Sequence, residues 1–86
     1  MDSSRIVTQI KGAERFFASQ ARIGVSSELL EQSKASMARS LVAQIGHLPA
    51  LDVEEAAVLN TTIAELASLD NNLKGIIASA VSSKVF

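Results

Sequence analysis

His47 is the only histidine in this 86-residue chain, and there is no cysteine. A histidine-based metal site or a Ser-His-Asp relay would therefore have to be built on one side chain. Its place directly after Gly46, at the end of an amphipathic segment, suits a simpler role in which it meets the last helix carbonyls or water. Twelve serines supply hydroxyls, but none lies in a G-x-S-x-G elbow, and a hydroxyl without a paired base is inert as a nucleophile. The carboxylate pairs Glu54/Glu55 and Glu28/Glu31 have the residue types for cation binding or acid–base work. Each stands near the start of a helical segment, where the peptide dipoles favour negative charge regardless of chemistry. The sequence holds no Gly-rich phosphate loop, no D-x-D-x-D-G calcium loop and no H-x₃-H pair. The expectation is a protein that is not an enzyme, with no catalytic residues, no cofactor and no metal.

Composition bounds what such a chain does instead. Eighty-six residues form one domain, and a chain of this length buries only about 60 % of the surface it exposes when unfolded, so its own core is thin. Without cysteine, helix packing or association must hold it together. Apolar residues make up 48 % of the chain and aromatics 3 %, with no Trp or Tyr, so the core is aliphatic. The net charge of −1 argues against nucleic acid as a partner, because phosphate neutralisation needs a clustered basic surface. Charge is nevertheless unevenly placed. Residues 1–47 carry Arg5, Lys11, Arg15, Arg22, Lys34 and Arg39 against Asp2, Glu14, Glu28 and Glu31, for +2; residues 48–86 carry Lys74 and Lys84 against Asp52, Glu54, Glu55, Glu65 and Asp70, for −3. Opposite signs suit two halves folding on each other, or the first half of one subunit meeting the second half of the next. No basic and apolar leader opens the chain, so cytoplasmic residence is the default expectation, with signal-independent export as the alternative. No apolar run approaches the roughly 20 residues that span a bilayer, so no integral membrane association is expected.

The helical pattern places these residues on three segments. Ser3 or Ser4 is a candidate cap for a first helix over about 5–23, in which Ile6, Ile10, Ala13, Phe17 and Ala21 fall on one face and Lys11, Arg15 and Arg22 opposite. Gly24 and Ser26-Ser27 mark its end, and residues 1–24 read as a mobile or exchanged N-terminal arm of the single domain 1–86. A second helix, about 27–45, starts at Ser26 or Ser27 and closes at Gly46 in a left-handed conformation. Leu30, Met37, Ala38, Leu41, Val42 and Ile45 share its broad apolar face, while Ser33, Ser36, Ser40 and Ala43 gather around Leu29 on another. Pro49 and Asp52 separate it from a third helix over about 53–83, opened by a capping box of Asp52 and Glu55 with a Leu51/Ala56 staple. Leu59, Leu66, Leu73 and Ala80 recur along it every seventh residue, with Leu69 and Ile76 between them and Ile63, Ile77 and Val81 widening the stripe. The fold class expected is all-α: an elongated antiparallel helical hairpin of 27–45 and 53–83 with an additional N-terminal amphipathic helix. Asp70 falls inside the apolar stripe, where it either pairs with Lys74 or meets a basic residue of another helix and fixes register.

The turn His47-Leu48-Pro49-Ala50-Leu51-Asp52, the absence of cysteine, an N-terminal segment set apart and an amphipathic stretch running to Phe86 give the chain a recognisable plan. Over residues 27–86 it resembles the needle-forming subunits of type III secretion systems and the small helical-hairpin chaperones that accompany them. It departs from the needle pattern at Asp52, which stands where Pro-x-x-Pro would place the second proline, and no tyrosine follows. The resemblance implies a hairpin that assembles or accompanies an assembling partner. The residue reading points the same way, to a non-catalytic protein–protein interaction protein, either a self-assembling structural subunit forming an oligomer or helical filament, or a small adaptor or chaperone that holds one hydrophobic partner. Membrane-surface binding through the first helix is the third reading. The candidate interface residues are Ile6, Ile10, Phe17, Leu59, Leu66, Leu69, Asp70, Leu73, Ile76 and Ile77.

Overall fold

A computed structural model describes residues 2–85 as four helices: α1 (Asp2–Arg22), α2 (Ser27–Gly46), α3 (Val53–Ala64) and α4 (Asn71–Ser82). The all-α class is as expected, and local signals explain most of the boundaries. Helix α1 already begins at Asp2, so Ser3 and Ser4 lie in its first turn rather than before it. It ends in a Schellman motif. Gly24 takes φ +86°, its N–H donates to the Ala21 carbonyl at 3.3 Å, and the Val25 N–H donates to the Gln20 carbonyl at 3.2 Å. Ser26 then caps α2 by accepting from the Leu29 N–H at 3.3 Å. At the other end of α2 the expectation fails, because Gly46 is helical and no left-handed residue follows. The helix tightens through His47 and Leu48, whose N–H groups donate to Gln44 and Ile45.

The capping box of α3 is present: the Glu55 N–H donates to Asp52 Oδ1 at 2.8 Å and the Asp52 N–H to Glu55 Oε1 at 3.3 Å. The continuous helix expected over 53–83 is not. It breaks at 65–70, and the residue that starts the new helix is Asp70, whose carboxylate accepts from the Leu73 N–H at 2.8 Å. Asp70 is therefore an exposed N-cap rather than a buried charge in a stripe. The expected Asp70–Lys74 pair is not what forms; the Lys74 ammonium instead donates to the Ala64 carbonyl at 3.4 Å, at the end of α3. Asp70-Asn71-Asn72 favours this break, since Asp and Asn side chains compete for backbone groups inside a helix and serve it at its start. Folding back also lets both halves of the leucine stripe reach cover.

Helix α1 packs on α2 and α3, and α4 packs on the same two, so α2 of the expected hairpin meets the distal half of the 53–83 stretch. Among the described residues the backbones of the diagonal pairs α1/α4 and α2/α3 do not come within 8 Å of each other. The link 47–52 thus crosses the bundle, which makes α2 and α4 parallel neighbours. Their C-terminal ends are tied by the Leu51 N–H donating to the Lys84 carbonyl at 2.8 Å and by Lys84 Nζ donating to the Gly46 carbonyl at 3.2 Å. The core is a column of aliphatic side chains from all four helices and both end loops, with Ile10, Leu41, Ile45, Leu59, Ile77 and Val81 fully enclosed. Residues 1–24, read from sequence as an arm, here supply Ile6, Ile10, Ala13 and Phe17 to that column. The molecule measures 42 × 19 × 17 Å with a radius of gyration of 12.9 Å, against about 12 Å for a spherical fold of this length.

Candidate protein interaction surface

The elongation comes from unequal hairpins. Helices α1 and α2 have 21 and 20 residues, while α3 and α4 have 12 each. The shorter hairpin is anchored beside the middle of α1, where the Ser68 N–H and Oγ–H both donate to the Glu14 carboxylate at 3.1 Å. This clamp joins residues far apart in sequence and was not read from it. Beyond it the α1–α2 hairpin runs on uncovered: Phe17 and Ala38 are buried, and no residue from 18 to 37 is.

Apolar side chains are exposed on this distal hairpin. Ile23 is 70 % exposed, Leu29 58 % and Phe16 51 %. Phe16 stacks edge-on against buried Phe17, ring centroids 5.6 Å apart, because consecutive residues on a helix point about 100° apart and only one can enter the core. The face of small residues noted around Leu29 lies opposite Phe16. Together Phe16, Leu29, Ser33, Ser36, Met37 and Ser40 line an open groove of about 540 Å³. A second open groove, about 440 Å³, lies at the other end of the long axis between the first turns of α1 and α3. It is lined by Ser4, Val7, Thr8, Glu54, Glu55 and Val58.

Of the ten residues proposed as an interface, Ile6, Ile10, Phe17, Leu59, Leu66, Leu69 and Ile77 face one another inside this one chain. Leu73 is half-buried against the same core and the exposed Asp70 caps α4; Ile76, 46 % exposed, is the apolar member that meets solvent. The apolar periodicity located the intramolecular core, which is what such periodicity reports in a chain able to fold on itself. The surface residues Phe16, Ile23 and Leu29 carried a weaker signal: each adjoins a residue already assigned to the core or to a helix end. His47 is exposed. Among the described residues, no group of three or more His, Cys, Asp or Glu is close enough to hold a metal ion, and no helix is long and apolar enough to cross a membrane. No family model, no curated protein and no solved structure matches this chain.

Proposed function

We propose that the protein is a non-catalytic structural subunit that works by binding further copies of itself. The observation that carries this reading is the thinly covered end of the α1–α2 hairpin: between residues 18 and 37 only Leu30 and Met37 pack, partly buried, against the core, while Phe16, Ile23 and Leu29 stand exposed around it. Single exposed aliphatic residues are ordinary on any surface. Three around the end of one hairpin, two of them sharing a groove, form a patch whose burial releases water and favours association. The adaptor alternative has less to use, since the leucine stripe that would hold a hydrophobic partner is already filled by the chain's own helices.

Size exclusion with light scattering over a concentration series, followed by negative-stain imaging, tests this. Filaments or large closed oligomers are the expected result. A chain that stays monomeric up to its solubility limit overturns self-assembly.

A further inference from the structure

Building on the self-assembly reading, we infer that two copies pair about a two-fold axis through the outer face of α2, the two α2 helices running antiparallel and each covering the other's α1–α2 groove. The groove is lined by exposed Phe16 and Leu29 together with Ser33, Ser36 and Ser40, and small side chains let a second helix approach closely. An isologous contact sets a surface against itself, so it needs a surface that tolerates its own charge. The distal hairpin is such a surface. Arg22 and Lys34 are balanced there by Glu28 and Glu31, with Lys34 and Glu31 paired at 3.5 Å.

The register comes from two charges further along α2. Glu28 and Arg39 are both exposed, and among the described residues neither makes an ion pair. Their spacing along the helix puts them within about 20° of each other, on the flank of the serine face away from the groove floor at Met37. In an antiparallel pair about a two-fold axis like flanks face each other, so Glu28 of each copy meets Arg39 of the other. That register sets the axis between the levels of residues 33 and 34. Phe16 lines the groove beside Ser33 and Ser36, so the same register brings the two copies of Phe16 together near the axis and seats each Leu29 over Ser36 and Ser40 of the partner. Charge and shape agree on one alignment. A two-fold contact closes at two copies, so dimers are the unit from which larger assemblies are built through other surfaces.

The chain has no cysteine, so one introduced thiol in full-length protein reports the register. Ser33 lies next to the axis, and Ser33→Cys should form an intermolecular disulfide under mild oxidation. Ser40→Cys should not, because its mate lies about 20 Å away along the pair, beyond disulfide reach. Glu28→Arg and Arg39→Glu alter exposed residues, and unchanged helical circular dichroism will report that each variant folds. Either change alone should raise the dimer Kd from light scattering by at least about tenfold. Mixing the two variants, or combining both changes in one chain, should restore association, since every pair is again opposite in sign. If wild-type protein associates but cross-links through Ser40→Cys rather than Ser33→Cys, or if Glu28→Arg leaves its Kd unmoved, this contact falls while self-assembly stands. Failure of the mixture to recover also overturns it. A wild-type chain that never associates removes the functional reading itself, and this contact with it.

Discussion

Where all four helices run side by side, nearly every turn delivers a buried side chain to the core; in the distal hairpin, residues 18–37 deliver only Leu30 and Met37, both partly buried. Both regions are helical, and both have helix ends capped by local residues, Gly24 and Ser26 in the distal hairpin, Asp52 and Asp70 in the proximal half. Helix formation in this chain is thus a local matter, while cover depends on how far α3 and α4 reach. Twelve-residue helices extend only about 18 Å, and the longer hairpin outlasts them. The proximal half holds most of the buried core, and the distal half is left with apolar side chains in water.

Mutations should divide along the same line. The largest losses belong to the proximal core, where Leu59→Ala or Leu66→Ala should cost about 2–5 kcal/mol by chemical denaturation, with Leu73→Ala costing less because that side chain is only half-buried. Next comes the clamp at the boundary. Glu14→Ala removes both acceptors used by Ser68 and should cost about 1.5–3 kcal/mol; a cost near zero would mean that the short hairpin is placed by apolar packing alone. Removing a cap, Asp52→Ala or Asp70→Ala, should cost about 1 kcal/mol each. Gly75→Ala should act in the opposite sense, stabilising by up to about 1 kcal/mol, since a Cβ there meets nothing within 4 Å and the helix gains propensity. Smallest of all, Ile23→Ser and Leu29→Ser should change the stability of dilute protein by no more than about 0.5 kcal/mol, although both residues are large and apolar. A large loss at either would erase the distinction between the two halves.

How much of this could be read from the sequence follows from the range of the interactions. Capping is decided within four residues, so the Asp52–Glu55 box was legible group by group, and Gly24 as the point where the first helix ends. That Ile10, Leu41, Leu59 and Ile77 lie on apolar faces was legible from period alone; that Ile10, Leu59 and Ile77, read as interface candidates, pack within one chain was not. Illegible was which face meets which. The unbroken leucine repeat through Leu66, Leu69 and Leu73 hid the turn at 65–70, because those side chains stay apolar and covered whether the backbone continues or folds back. Asp70 followed by two asparagines was the residue-level sign of that turn, and its position inside the stripe was better explained by an N-cap than by a buried pair. The Glu14–Ser68 clamp spans 54 positions, and no local pattern encodes it. The exposed patch was hidden for a related reason: an apolar residue announces burial, and only the length mismatch between the hairpins leaves Ile23 and Leu29 without cover.

The most direct test of the division between a self-sufficient proximal half and a contact-making distal half is amide hydrogen exchange measured on dilute and on concentrated protein. At low concentration the amides of 18–35 should exchange faster than those around Leu41, Leu59 and Ile77. At high concentration they should become protected, while the core amides stay as they were. Protection of 18–35 that is already core-like in dilute solution, or that does not change with concentration, would contradict the account.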